Sequence, residues 1–171
     1  MSALEPASAV FVASLGVLAT AGVAKIVKPA DTSRALRIAG WPAQRWLVRL
    51  GATGEVAIAA AALAEPGHLT GTLVAAAYAG FAAFVGLALI KGWPLASCGC
   101  FGRPDTKPGL IHLLLDLGAA GCAVWWALRP PGDTAELLRG QPWGGAAMLV
   151  VSATIAWLAY LIWTRPSLRT S

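Results

Sequence analysis

The chain has 171 residues, of which 57% are hydrophobic and only 12% are charged. In a typical soluble domain, roughly a quarter of all residues are charged. This composition therefore excludes an ordinary water-soluble protein and predicts that lipid faces much of the surface. The formal net charge is +5. The basic residues lie in loops beside apolar stretches, which is typical of topology control and contact with anionic lipid, not of nucleic-acid binding.

Five apolar stretches are long enough to cross the roughly 30 Å hydrocarbon core of a bilayer as helices. In chain order they cover residues 7–24, 46–64, 69–90, 109–128 and 144–163. The sequence thus predicts an all-α fold, a polytopic transmembrane helix bundle of four core helices and a fifth. We expect residues 1–171 to form a single integral membrane domain, with a core over about residues 7–128. No cleavable signal peptide is expected, because the first residues carry an acid and no Lys or Arg.

The segment between the first two spans predicts a short helix at the membrane surface. Asp31, Thr32 and Ser33 are candidate N-caps, and Gly40 with Pro42 ends the helical pattern. We therefore expect one short surface helix between the first two membrane crossings.

Small residues are frequent within the spans, and they let helices approach closely in a membrane. The candidate contact points are Gly51, Gly54, Gly80, Gly86, Gly118 and Gly121. A coding bias toward Ala and Gly is the alternative explanation for any one of them.

Most tryptophans lie near predicted span ends, where interfacial anchors occur. The set comprises Trp41, Trp46, Trp93, Trp125, Trp126, Trp143 and Trp163. Their positions indicate membrane anchoring without any cofactor-binding motif.

The strongest chemical signal is Ser-Cys-Gly-Cys-Phe-Gly at residues 97–102, directly after the third span. Two cysteines one residue apart can close a small, strained disulfide ring, and strain makes a disulfide more oxidising. Gly99 relaxes the backbone for that closure. We interpret Cys98 and Cys100 as a redox pair for thiol–disulfide exchange. Two ordinary thiols in an interfacial turn are one alternative. Half of a metal site is another, and it is disfavoured because no His or further Cys lies nearby.

Ionisable residues inside the spans are the second signal. Glu55 and Asp116 lie within the second and fourth spans, and Lys25 ends the first. Such groups cost several kcal/mol in hydrocarbon unless they are paired or neutralised. All three lie toward the side of the cysteine pair, so we expect a Lys25–Glu55 or Lys25–Asp116 ion pair. The alternative is that these acids only hold the bundle together.

Two further residues of the fourth span have distinct expected roles. His112 precedes Asp116 by four residues, so both lie on one helix face and suit proton relay or thiol tuning. A position at the headgroup level is the alternative for His112. Cys122 lies about 20 Å into the span and is expected to be a small buried apolar residue.

In their order along the chain, these residues resemble the MauE methylamine-utilisation family of DoxX-like membrane proteins. The shared features are Ala-Gly-Val-Ala-Lys at 21–25 with Pro29 after it, Glu55, Cys-Gly-Cys-Phe-Gly at 98–102, and Asp116. The resemblance covers about residues 7–128. It implies a role in the methylamine metabolic process, namely processing, transport or maturation of the disulfide-rich small subunit of methylamine dehydrogenase.

The resemblance also implies a thioredoxin-like partner, MauD, with Cys98 and Cys100 as redox pair and Lys25, Glu55 and Asp116 as polar cluster. We therefore expect a thiol–disulfide exchange component that supports maturation of a disulfide-rich client within the lipid bilayer. No nucleic acid, metal or cofactor is expected. A small transporter or quinone-side electron carrier using Glu55 and Asp116 is the main alternative, and a purely structural subunit is another.

The basic residues predict the orientation in the cell membrane. Eleven of the thirteen Lys and Arg fall in three regions that a five-span chain places on one side: Lys25, Lys28, Arg34, Arg37, Arg45, Arg49, Lys91, Arg103, Lys107, Arg165 and Arg169. The positive-inside rule then puts the N-terminus outside, and the C-terminus and the cysteine pair on the cytoplasmic side. The dehydrogenase of the family matures in the periplasm, so this placement conflicts with the implied client.

Reporter fusions at both termini test this orientation. We expect a periplasmic reporter to be inactive at the C-terminus and active at the N-terminus, because the positive loops stay inside. An active periplasmic reporter at the C-terminus would contradict the five-span topology or its orientation.

Overall fold

The computed structural model describes residues 6–95 and 109–129, together with helical positions 153, 154 and 157. Within the two continuous ranges the chain forms α1 (Pro6–Val27), α2 (Pro29–Ile38), α3 (Arg45–Ala64), α4 (His68–Lys91) and α5 (Leu110–Leu128). Helices α1, α3, α4 and α5 are long and apolar enough to cross a membrane. The predicted helical membrane fold is confirmed for the first four spans. The fifth predicted span lies outside the described residues, apart from the three helical positions.

The four long helices have 22, 20, 24 and 19 residues. At 1.5 Å per residue they extend roughly 28 to 36 Å, which matches the hydrocarbon thickness. Helix α1 packs along α3, and α4 packs along α5, while α1–α5 and α3–α4 contacts complete a four-helix bundle. We call the end where α1 and α4 finish and α3 and α5 begin the Lys25 end.

Helix α2 lies at the Lys25 end and contacts α1 and α3. It begins at Pro29, four residues after Lys25, because the fixed φ of proline suits a first helical position. The prediction of an N-cap at Asp31, Thr32 or Ser33 is therefore wrong, and Ser33 is instead 1% exposed. As predicted, the helix stops before Gly40, and the φ of Gly40 is +76°.

The core is built from aromatic and small residues of all four long helices. The rings of Phe11 and Trp126 stack with centroids 4.4 Å apart. The Tyr78 hydroxyl donates a 2.6 Å hydrogen bond to the Ser14 carbonyl, which joins α4 to α1. Trp126 is only 3% exposed, so its prediction as an interfacial anchor is wrong. It lies on the face of α5 that meets α1, which its position near a span end did not reveal.

Other tryptophans do face outward near helix ends. Trp46 is 64% exposed at the start of α3, and Trp41 is 47% exposed in the loop before it. Trp125 is partly buried and packs against the core. Trp143 and Trp163 lie outside the described residues.

The glycines that the sequence marked as helix contacts do not make close contacts among the described residues. A Cβ added at Gly86 would reach only ordinary contact distance, 3.8 Å from Leu113. A Cβ at the others would meet no atom within 4 Å in the described part of the chain; these are Gly51, Gly54, Gly80, Gly118 and Gly121. Glycine content alone did not reveal which helix face meets a neighbour.

Two other glycines make the close helix approaches. A Cβ at Gly22 would lie 2.9 Å from the Ala52 carbonyl oxygen of α3. A Cβ at Gly71 would lie 2.9 Å from the Cα of Ala127 on α5. The α1–α3 and α4–α5 pairs therefore each depend on one missing side chain.

The Gly71→Ala variant should be less stable than the wild type. The new methyl group meets the α5 backbone, and overpacking costs about 1–3 kcal/mol, which exceeds or cancels the roughly 1 kcal/mol gain in helix propensity. Gly54→Ala is the control, because it makes the same change in open space. Thermal unfolding in detergent should give a lower midpoint for Gly71→Ala than for Gly54→Ala. Equal midpoints would contradict the close α4–α5 approach.

Candidate functional site

A buried ion pair joins α1 to α3. The Nζ of Lys25 lies 2.7 Å and 2.8 Å from the two carboxylate oxygens of Glu55. The two side chains are 7% and 15% exposed. Lys25 stands in the last turn of α1, and helical side chains tilt toward the N-terminus, so its ammonium reaches back into the bundle. One of the two predicted ion pairs is thus present.

Gly22 makes this pairing sterically possible. It lies one turn before Lys25 on α1, and a Cβ there would come within 3.4 Å of the Glu55 Cβ. The same Cβ would meet Val56 and the Ala52 carbonyl still more closely. The glycine of the Ala-Gly-Val-Ala-Lys segment therefore lets α3 approach near enough for Glu55 to bind Lys25.

The ammonium of Lys25 also contacts α4. Its Nζ lies 4.4 Å from the centroid of the Phe81 ring, a distance at which a cation is attracted to the ring face. Phe81 in turn meets Tyr78 edge-on, with centroids 5.9 Å apart. Lys25 therefore links three spanning helices. Phe81 was not among the site residues predicted from the sequence, because one aromatic residue in an apolar span carries no signal of its own.

Asp116 and His112 lie buried on α5, 4% and 5% exposed. They share the inner face of that helix, as their spacing predicted. Asp116 is six residues from the first residue of α5, or about 9 Å along its axis, so it belongs to the Lys25 end. The structure joins Lys25 to Glu55 directly and brings Asp116 to the same end of the bundle.

The cysteines divide into two groups. Cys98 and Cys100 lie outside the described residues, so their roles rest on sequence and family. Cys122 is partly buried and packs against the core. It lies twelve residues into α5, about 18 Å from its start, toward the opposite end of the bundle.

A cavity of about 490 Å³ opens beside the ion pair, bordered by α1, α2, α3 and α4. Lys25, Glu55 and Thr32 are its polar lining residues, and the aromatic rings of Trp41, Phe81 and Phe84 line its walls. Trp41 was predicted from the sequence only as a membrane anchor. Its place in the cavity was not predicted, because the lining residues come from four helices and no local sequence pattern connects them.

Two of the glycines named from the sequence explain the free volume. Gly51 on α3 and Gly80 on α4 both border the cavity. A Cβ at either position would meet nothing within 4 Å among the described residues. These glycines keep a space open between helices, which is the reverse of their predicted role as contact points.

The ion pair predicts a specific order of stability among variants. Removing one partner strands a buried charge and costs about 3–5 kcal/mol in protein interiors, so Lys25→Met and Glu55→Ala should both lower the midpoint of thermal unfolding in detergent. Glu55→Gln should be milder than Glu55→Ala, because the amide keeps the shape and can still accept a hydrogen bond.

The matched control is the double variant Lys25→Met/Glu55→Leu. It removes both charges and should recover part of the lost stability, since no ion remains unpaired. A double variant whose loss equals the sum of the losses of Lys25→Met and Glu55→Leu measured singly would contradict a direct interaction between these side chains.

Comparison with known proteins places the chain in a family. A family model described as "Methylamine utilisation protein MauE" matches residues 3–129. Comparisons with curated proteins and with solved structures give no match. The matched region includes all five described helices and every residue of the predicted site, and it spans more than half of the 171 residues. The chain is therefore a multi-pass membrane protein that belongs to the MauE family.

Proposed function

We propose that this protein supports thiol–disulfide chemistry during maturation of a partner protein, with Cys98 and Cys100 as its redox pair. The family is described by methylamine utilisation, which supports this proposal. The expected client is therefore a disulfide-rich protein of methylamine metabolism, and the expected redox partner is a thioredoxin-like protein. Lys25, Glu55 and Asp116 form the polar cluster at the same bundle end, and the whole chain acts as one membrane domain.

The observation that carries this proposal is the position of the segment that follows α4 and precedes the cysteine motif. Helix α4 ends at Lys91, and Gly92 caps it with a φ of +60°. Leu95, three residues later, is 3% exposed and packs with Ala35 of α2 and Ala88 of α4. The chain is thus fixed to the Lys25 end immediately before the motif.

The length of chain beyond Leu95 limits where the thiols can act. Cys98 follows Leu95 by three positions, and each position extends the chain by at most about 3.6 Å. At most about 11 Å of extended chain therefore joins Leu95 to Cys98. A redox pair on so short a tether would meet its partner at the membrane surface, beside α2 and the polar cluster.

The proposed exchange conserves atoms and electrons. The thiolate of one cysteine attacks a partner disulfide, so that one sulfur–sulfur bond forms, another breaks and a partner thiolate leaves. The second cysteine then attacks the mixed disulfide and releases the partner as a dithiol. Two electrons move to the partner, and Cys98 and Cys100 end as a disulfide. The reverse sequence oxidises the partner.

The buried groups of α5 suit the protons of this chemistry. His112 and Asp116 are the first ionisable residues of α5 after the cysteine segment, and both are buried at its start. Thiol oxidation releases a proton from each sulfur, and a histidine near a carboxylate can take up and return protons. In our proposal this face of α5 is the proton route between the thiols and the bundle.

Trapping tests the proposal directly. Removing the resolving cysteine leaves the mixed disulfide without its second attack, so either Cys98→Ser or Cys100→Ser should capture a partner in a band that disappears with reductant. A membrane-impermeant alkylating reagent applied to intact cells should report the redox state and the side of the membrane.

Cys122→Ser is the matched control, because this thiol of α5 is partly buried and packs against the core of the bundle. It should capture nothing new and should leave maturation of the client intact. The redox proposal is wrong if neither single variant traps a partner and the double Cys98→Ser/Cys100→Ser variant still supports maturation. A transport role that uses Glu55 and Asp116 would then be the better proposal.

A further inference from the structure

The cavity beside Lys25 and Glu55 has the dimensions of a small-molecule site. Its volume of about 490 Å³ falls within the roughly 300–1,000 Å³ of known ligand pockets. Gly51, Ala76 and Gly80 border it from exposed positions on two spanning helices. In a bilayer those positions face lipid, so the cavity admits a molecule from the hydrocarbon.

The walls favour a flat ring. Phe81 and Phe84 project from successive turns of α4, and Trp41 covers the cavity from the loop after α2. Trp41 and Phe84 meet edge to face, with centroids 5.8 Å apart and planes at 63°. Aromatic side chains stack on planar ligands in offset or edge-on arrangements. The remaining lining is mostly small aliphatic residues, which suit an apolar tail.

The polar part of the cavity selects a neutral ligand. Lys25 directs its ammonium at both oxygens of Glu55, so the pair carries no net charge. An anionic headgroup would meet the Glu55 carboxylate, and a cationic one would meet the Lys25 ammonium. A neutral molecule can instead use both groups, since an ammonium donates hydrogen bonds to a carbonyl and a carboxylate accepts them from a hydroxyl.

We propose that this cavity binds an isoprenoid quinone, with the ring among Trp41, Phe81 and Phe84 and one ring oxygen at the Lys25–Glu55 pair. The quinone carbonyl accepts a hydrogen bond from Lys25, and the hydroxyl of the reduced form donates one to Glu55. The isoprenoid tail leaves toward the lipid past Gly51 and Gly80. This site is formed entirely by described residues and does not involve the cysteines.

The choice of a redox-active lipid rests on the proposed function. A disulfide that oxidises a partner is left as a dithiol. On the cytoplasmic side, which is kept reducing, this dithiol needs an electron acceptor to become a disulfide again. Oxidation of the Cys98 and Cys100 thiols to a disulfide releases two electrons and two protons. One quinone takes up both electrons and both protons and becomes a hydroquinone, so the step balances without another reactant.

Binding is tested on the Cys98→Ser/Cys100→Ser variant in detergent, which removes the thiol chemistry. Decylubiquinone, a benzoquinone with a short apolar tail, is titrated while tryptophan fluorescence is measured, because Trp41 lies against the proposed ring site. We expect saturable quenching that Gly51→Leu weakens about tenfold or more by filling the cavity. Gly54→Leu is the matched control, being on the same helix, in open space and away from the cavity lining.

Two further arms separate ring recognition from binding of any apolar chain. Lys25→Met/Glu55→Leu should weaken binding about tenfold, since it removes the groups that bind the ring oxygen. Decanol and oleoyl phospholipid should compete poorly with the quinone. Equal affinity in all variants, or displacement by decanol at equal concentration, would overturn the quinone site.

Electron transfer is tested separately on the reduced wild-type protein. Anaerobic addition of decylubiquinone should oxidise the Cys98 and Cys100 thiols, with one hydroquinone formed per disulfide, and Gly51→Leu should slow this reaction. Thiols that stay reduced in a protein that binds quinone would overturn the coupling and leave the binding site intact. Partner trapping without quinone binding would overturn the site and leave the thiol proposal intact.

Discussion

The cost of placing a charge in hydrocarbon governs the architecture of this protein. An ionisable side chain within a bilayer must be neutralised or paired, and Lys25 and Glu55 satisfy each other across α1 and α3. The pairing requires those helices to lie close together, and Gly22 removes the one side chain that would keep them apart. Phe81 connects α4 to the pair, because the Lys25 ammonium lies over the face of its ring. The ion pair thus sets the mutual positions of α1, α3 and α4 at the end where the cysteine segment begins.

Helix association elsewhere depends on shape and on single polar bonds. Lipid tails are as apolar as the helix surfaces, so no hydrophobic effect drives the helices together. The contact of Gly71 with Ala127 holds α4 against α5. The bond from Tyr78 to the Ser14 carbonyl crosses from α4 to α1. The α1–α3, α4–α5 and α1–α4 contacts thus each include a close glycine approach, an ion pair or a hydrogen bond.

The sequence predicted the first four spans, because length and hydropathy determine a membrane crossing. It also predicted Lys25–Glu55 as one of two possible ion pairs, because an intramembrane charge requires a partner. It did not predict which face of each helix is buried. Trp126, near a span end, is predicted to be an anchor but lies in the core. Gly51 and Gly80 are predicted to be helix contacts but border a cavity. Such assignments depend on the rotation of one helix against another, which hydropathy does not encode. Cys98 and Cys100 lie outside the described residues, so their role still rests on sequence and family.

The ion pair also determines how this end of the bundle responds to the membrane potential. A single charge that moves through the whole field gains or loses about 2.3 kcal/mol per 100 mV. Lys25 and Glu55 move together with no net charge, since the ammonium holds both carboxylate oxygens at 2.7 Å and 2.8 Å. The field therefore exerts almost no net force on the pair, only a torque on its short dipole. Rearrangements that carry the intact pair deeper or shallower are accordingly nearly independent of voltage, whereas any step that separates the two charges across the bilayer becomes voltage-sensitive.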